Sequence, residues 1–417
     1  VRILNILPYS PCPPHFGGAL RIYHLLREMT RSHEVTVIMY GTPAEGDLVR
    51  GAFGEGLREV RTVARPAQLM GIRKRWSQVR SLLGRESATT GAFYSAAMQE
   101  TIDIVAGEQA FDLVQMENHP LGVFRVPCPG AVRVMDAQNV EHDNVRRMAA
   151  ATASPVRRAF YRREARKLFL EEKEVYEKQD AIFVTSSRDK SLMDAEFPGV
   201  PKYVVPNGVD TSFFHPSEAG RDERTIVFTG AMNYFPNADG MIWFLREIFP
   251  LVKRRVPGAR VKIVGGGPPR QLTALASEGV VITGYVEDVR PYVRGAGVYA
   301  VPLRMGGGTR LKVLEAMAME RPVVTTSVGC EGIHVVDGTS VLVADAPDRF
   351  AEAVIELMNN AALRQKLVAN GRDLVRNEYE WSVVGTRLNE AYSMVTGPGI
   401  VRGTPSRHSP SAALHKM

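Results

Sequence analysis

Cysteine is scarce: only Cys12, Cys128 and Cys330 occur in 417 residues, far apart and without metal-ligand spacing. That excludes a disulfide framework and points to a reducing compartment. No stretch approaches the roughly 18 uninterrupted apolar residues of a membrane span. The opening "VRILNILPYSP" has a short apolar run with no small-residue cleavage pattern after it, and reads as a first strand instead of a signal peptide. Two phosphate-binding signatures are also missing. Neither G-x-G-x-x-G at the opening strand–helix turn nor a phosphate loop ending in G-K-[ST] is present. No Asp-x-Asp pair sits at a strand end, so the expectation is a cytosolic protein with no metal and no dinucleotide.

What is present is ordinary for a globular chain: 45% apolar and 23% charged residues. The formal net charge of +7 suits an anionic ligand, a nucleic acid or an acidic membrane surface, without choosing among them. The length calls for two domains. Short β-branched strands are predicted at 2–7, 34–40, 57–63, 111–116, 131–135, 181–185 and 202–205, with amphipathic stretches between them. The pattern restarts with strands at 225–229, 260–264, 280–283, 298–303, 322–326 and 341–344. Helices are predicted at 237–254, 268–277, 309–320, 347–359 and 361–376. Strand, crossover helix, strand is the mark of a parallel sheet covered on both faces. The expected fold class is therefore α/β, with two doubly wound Rossmann-like domains facing each other across a cleft.

The polar join "PNGVDTSFFHPSEAGRDER" separates the halves. It sets the domains at 1–207 and 208–379, with a helix at 380–395 crossing back to the first. A Pro/Gly/Ser-rich tail at 396–417 is expected to be disordered. Segment 64–100, with its basic "GIRKRW", reads as a mobile helical excursion near the cleft. Residues 146–167 carry Arg146, Arg147, Arg157, Arg158, Arg162, Arg163, Arg166 and Lys167 against the single acid Glu164. Such a helix either meets an anionic membrane or presents a solvated face, and the residues leave both readings open.

The densest chemistry lies in "RMGGGTRLKVLEAMAM", Arg304 to Met319. Gly306, Gly307, Gly308 and Thr309 follow a strand and precede a helix, so backbone N–H groups can turn toward one point beside a helix N-terminus. That arrangement suits a phosphate, and Arg310 and Lys312 would add charge-assisted bonds to a diphosphate. Glu315 shares the face of Lys312, and ribose hydroxyls are its better partner, since phosphates would repel it. Leu311, Leu314 and Ala318 are assigned to the buried face. Three further strand ends converge on the same crevice: Gly230 and Asn233 in "FTGAMNYFPNADG", Gly265 and Gly266 in "VKIVGGGPP", and Gly284, Tyr285 and Val286 in "ITGYVEDV".

These stretches, with "GGGTRLKVLEAMAMERPVVTTSVGCEGI" and "DGTSVLVAD", resemble the retaining, nucleotide-sugar-dependent glycosyltransferases of family 4, group 1. In the first half, "PYSPCPPHFGGALRIYHLLREMTRSHEVTVI" and "DAQNVEHDNVRR" carry the same likeness. The resemblance covers nearly all of the chain except 64–100 and the tail. It implies the GT-B fold, with a UDP- or GDP-linked sugar as donor substrate and no other cofactor. Glu315 matches the second glutamate of the family's E-x7-E pattern, which binds ribose. The first glutamate position is Gly307, a departure that leaves the sugar unnamed. The family's arginine and lysine for the diphosphate are absent from "AMNYFPN", and Arg310 and Lys312 are taken as substitutes.

For the first domain, the resemblance places Gly17 and Gly18 against the diphosphate or sugar, and His119 against the donor sugar as a catalytic candidate with Arg310 and Lys312. Leu314 joins the donor-site residues on the same basis. Asp136, Asn139 and His142 are candidates for the acceptor side, and Asn207 and Asp210 for turns at the hinge. The expected acceptor is a glycan or a lipid-linked glycan of a cell-surface polysaccharide or lipopolysaccharide, with peripheral contact to an anionic membrane and no nucleic-acid partner. A nucleotide-sugar epimerase of the same shape is the main alternative, ahead of a non-enzymatic ligand-binding protein or a nucleic-acid binder.

Overall fold

A computed structural model describes residues 1–66, 87, 93–152, 154–217 and 220–397. Most of the expected excursion at 64–100 and nearly all of the tail at 396–417 lie outside the described residues. Seven parallel strands form the first sheet: β1 (Arg2–Leu7), β2 (Glu34–Tyr40), β3 (Leu57–Val63), β4 (Leu113–Glu117), β5 (Val132–Ala137), β6 (Ala181–Val184) and β7 (Lys202–Val204). Their spatial order is β3-β2-β1-β4-β5-β6-β7. The second sheet holds β8 (Asp222–Thr229), β9 (Arg260–Val264), β10 (Val280–Ile282), β11 (Ala296–Val301), β12 (Val323–Thr325) and β13 (Leu342–Val343), in the order β10-β9-β8-β11-β12-β13. In each sheet the order reverses beside the first strand, at β1/β4 and at β8/β11, which is where doubly wound sheets open a crevice. The expected fold class holds.

Burial explains why these segments are strands. Ile3, Leu4, Ile6 and Leu7 of β1 are fully buried, as are Ala296, Val298, Ala300 and Val301 of β11. Strands covered on both faces need continuous apolar runs, and each fully buried aliphatic side chain contributes about 1.5–3 kcal/mol. The last helix, Trp381–Thr396, packs against the first domain. Trp381 stacks on His24 at 4.5 Å, and the Tyr392 hydroxyl donates to Gln115 Oε1 at 2.6 Å. At the hinge, Arg21 Nη1 donates to the Pro206 carbonyl and to Asn207 Oδ1, both at 3.1 Å. Asp210 Oδ1 accepts from the Ser212 and Phe213 N–H groups.

Three helix expectations need correction. The stretch 237–254 is not one α-helix: Phe235–Trp243 passes through a π-turn at Phe244–Ile248 into Phe249–Arg255. Pro250 lacks the N–H that an unbroken α-helix needs there, so the hydrogen-bond register shifts. The stretch 268–277 keeps only Arg270–Thr273 as helix. The basic segment is two helices, Glu141–Ala151 and Pro155–Tyr176. Ser154 caps the second, accepting from the Arg157 N–H, with Pro155 in its first turn.

Candidate donor and acceptor site

The glycine loop after β11 joins the sheet to the helix Leu311–Ala318. Gly306 (φ 130°) and Gly308 (φ 70°) occupy backbone regions that side chains disfavour. Arg310, only 7% exposed, folds onto this loop and donates through Nη1 to the Gly307 carbonyl and, at 2.6 Å, to the Gly308 carbonyl. Its Nε and Nη2 are buried with no partner, as is Thr309 Oγ1. An unpaired buried guanidinium edge is costly, and an anionic group placed against it would relieve that cost.

Lys312 lies one step further along the helix. Its Nζ donates to Asn237 Oδ1 at 2.9 Å and sits 4.0 Å above the Phe228 ring. Burial lowers its pKa to about 7, opposed by the nearby Glu315 carboxylate. Burial likewise raises the Glu315 carboxyl to about 7, with Lys312 pulling the other way. Lys312 bonds Asn237, and burial dominates the shift of both groups, so a surface Lys–Glu pair does not explain them. Both face the carboxyl ends of strands: Phe228 is on β8, and the buried Tyr299, on β11, feels the Glu315 charge.

Some of the other glycines of the second domain are required by close packing. A Cβ on Gly265 would strike the Gly230 carbonyl, and one on Gly267 would come within 2.9 Å of Asn233 Cβ. Gly230 N–H donates to the Val264 carbonyl, Gly265 N–H to Gly284, and Met232 N–H to Gly266. These bonds knit three strand ends into one wall, from which Tyr285 projects 80% exposed and Val286 sits half-buried.

Across the cleft, Gly17 opens the helix Gly17–Ser32, and a Cβ there would sit 3.6 Å from Leu311 Cδ1. A Cβ on Gly18 would collide with the Tyr9 hydroxyl. A cavity of about 640 Å³ runs beside this contact, with Leu20, Tyr23, Phe213, Leu311 and Trp381 on its walls and Glu315 at its edge. Leu311 therefore lines the cleft, contrary to its assignment to the buried face. Leu314 is the reverse case: it is fully buried in the second-domain core, so its side chain is not a donor contact.

The first-domain candidates separate. His119 is 3% exposed in a short 3-10 turn; burial lowers its pKa, and its Nε2 has no partner. Its Nδ1 lies 4.0 Å from Glu172. Asp136 is not open to an acceptor: it is fully buried in a two-bond ion pair with Arg21, at 2.8 and 2.9 Å. His142 is likewise occupied, with Nδ1 on Glu172 and Nε2 2.7 Å from Glu196, and these carboxylates raise its pKa against the effect of burial. Asn139 turns to the second domain, with its Oδ1 over Gly308.

Several cross-cleft residues escaped the sequence reading. Asn144 Oδ1 lies where a Cβ of Gly307 would be. Arg147 holds Glu331 through two bonds, at 2.6 and 3.0 Å, and Arg188 reaches the same carboxylate at 3.4 Å. Asp143 ties both arginines to its own helix. No local pattern marks the contacts between the domains, because there each partner lies more than 140 residues away in the chain; the basic run was the only visible trace. Among the described residues, no group of three or more His, Cys, Asp or Glu could hold a metal ion, and no helix is long and apolar enough to cross a membrane.

Known proteins resemble the chain in sequence and fold. Residues 223–360 match the family model described as glycosyl transferases group 1. A phosphatidyl-myo-inositol mannosyltransferase of Mycobacterium tuberculosis is 30% identical over 210 residues, covering 47% of this chain and 54% of that protein. The chain thus spans about half the length of the first curated relatives it matches. A GDP-mannose-dependent alpha-(1-6)-phosphatidylinositol monomannoside mannosyltransferase of the same organism is 27% identical, over 92% of this chain and 96% of that one. Among solved structures, a sucrose-phosphate synthase from Thermosynechococcus elongatus superposes with a TM-score of 0.69 at 16% identity, covering 95% and 99% of the two chains.

Proposed function

We propose that this chain, which has the GT-B fold and matches the group 1 glycosyltransferase model over residues 223–360, transfers a sugar from a UDP- or GDP-linked donor to a hydroxyl of a glycan or lipid-linked acceptor, with retention of configuration. The observation that carries this reading is the line of groups along one loop and helix: Gly306–Gly308, the unpartnered edge of Arg310, Lys312, then Glu315. A nucleotide sugar has the same order, sugar, diphosphate, ribose. In the transfer, the bond from the anomeric carbon to the diphosphate oxygen breaks as the acceptor oxygen bonds that carbon. The acceptor proton passes to the departing diphosphate. In this reading Arg310, Lys312 and the loop N–H groups stabilise the negative charge that develops there, and the buried, unpartnered His119 Nε2 accepts from a sugar hydroxyl. Contact between the domains across the loop excludes water.

The mannosyltransferase relatives make GDP-mannose the first donor to test, with UDP-hexoses beside it. Acceptor-dependent release of nucleoside diphosphate supports transfer; conversion of the donor into its epimer without acceptor supports the epimerase alternative instead. The protein also works at the cytosolic face of an anionic membrane in this reading. Supporting that, Val156 is 80% exposed beside exposed Arg157, Arg162, Arg163 and Arg166. Co-sedimentation with vesicles that contain anionic lipid, and not with neutral ones, tests that contact. Nucleic acid is not among the proposed partners.

A further inference from the structure

Glu315 marks the ribose end of the donor track, and Lys312 and Arg310 mark the diphosphate. Continuing in the same direction leads to Gly306–Gly308, so the sugar must adjoin this loop. The wall it meets there comes from the other domain. Asn144 Oδ1 sits on the position a Gly307 Cβ would take, and Asn139 Oδ1 on that of Gly308. The Glu141 carboxyl neighbours both amides, which oppose the rise in its pKa caused first by burial and then by the Glu172 charge. In both cases the amide oxygen is the side-chain atom nearest the loop. Glu141 itself is anchored, its backbone N–H donating to Glu172 Oε1 at 2.9 Å. The glycines are thus needed on two counts, left-handed backbone at 306 and 308 and the close approach of two amides at 307 and 308.

We infer that Asn139 and Asn144 determine donor-sugar specificity from the first domain, with Glu141 as the positioning residue that fixes their amide oxygens as acceptors. The inference rests on the donor-site reading above and reassigns Asn139 from the acceptor side. Two acceptor oxygens side by side favour a sugar that offers hydroxyl donors and disfavour one that carries a carboxylate. The selected class is a neutral hexose, with a hexuronate rejected.

The test measures dissociation constants of UDP, UDP-glucose, UDP-glucuronate, GDP and GDP-mannose for the wild-type protein and for Asn144→Ala, Asn139→Ala and Glu141→Gln. The wild type is expected to prefer UDP-glucose to UDP-glucuronate by about tenfold or more, one lost hydrogen bond plus repulsion. Asn144→Ala should remove most of that preference while UDP and GDP bind within about twofold of wild type. Glu141→Gln lets the amides turn over and should lower the preference with the same unchanged free-nucleotide affinity. A lower affinity for free UDP and GDP in parallel with the sugars would mean a merely structural role and overturns the inference. Undiminished preference in all three variants overturns it as well. If neither UDP nor GDP binds the wild type, the donor-site reading falls, and the inference falls with it.

Discussion

The ionisation of Lys312 and Glu315 makes nucleotide-sugar binding a proton-linked event with a sign that can be worked out beforehand. A nucleotide sugar is the suitable probe, because its diphosphate is esterified at both ends and keeps its charge over the range tested. Lys312, lowered to about 7 by burial, is about nine-tenths neutral at pH 8 in the empty protein. A diphosphate beside it favours the ammonium and raises its pKa toward the ordinary value, so binding at pH 8 should take up about 0.9 proton. Affinity then falls by up to tenfold per pH unit above 7. Glu315, raised to about 7, is about nine-tenths protonated at pH 6. Ribose hydroxyls donate to the carboxylate and lower its pKa, so binding at pH 6 should release about 0.9 proton. Affinity therefore peaks near pH 7, where uptake and release cancel. Calorimetric titrations in buffers of different ionisation enthalpy read the proton count directly. Lys312→Met should abolish the uptake and weaken binding by about 10- to 100-fold. Zero proton uptake at pH 8 in the wild type would refute the assignment of Lys312 to the diphosphate.

Other perturbations isolate single contacts. Arg21→Met leaves the fully buried Asp136 without its partner, and should cost about 3–5 kcal/mol in denaturant unfolding; a loss under about 1 kcal/mol would contradict the pairing described. Gly265→Ala drives a methyl into the Gly230 carbonyl and should destabilise the second domain by about 1–3 kcal/mol, read as a lower unfolding midpoint. The Arg147–Glu331 pair is about a quarter exposed on each side, so a double-mutant cycle to alanine should give a coupling of only about 0.5–1 kcal/mol. Small-angle scattering on the same variants should show a larger radius of gyration, since this pair joins the two domains.

The sheets were readable because a parallel strand buried on both faces must be a short apolar, β-branched run. "AGVYAV" of β11 can hardly be anything else. The glycine loop stood out for a related reason: three consecutive glycines before an amphipathic helix are too destabilising to persist without a close approach. What that approach was could not be read. The side chains that crowd Gly307 and Gly308 belong to Asn144 and Asn139, over 160 residues away and in the other domain. A separation of 115 residues within the first domain likewise hides the Arg21–Asp136 pair, so sequence alone makes a charged residue at a strand end look free for an acceptor. The break before Pro155 was legible in principle, since Ser-Pro is a helix-start signal, but the run of arginines drew the helix straight across it. Leu311 and Leu314 look alike in the sequence, because periodicity shows which residues share a helix face and not which face meets the second domain's core and which the cleft.

The central claim is that the track from Gly306 to Glu315 holds a nucleoside diphosphate and its sugar. Thermal unfolding of the wild type, Lys312→Met and Glu315→Ala, each with UDP, GDP and their hexose conjugates, tests it most directly. At a hundredfold excess over the dissociation constant, the right ligand should stabilise the wild type by about 2.7 kcal/mol and leave both variants far less protected at the same concentration. Equal protection of all three proteins, or protection of none by any of these compounds, would contradict it.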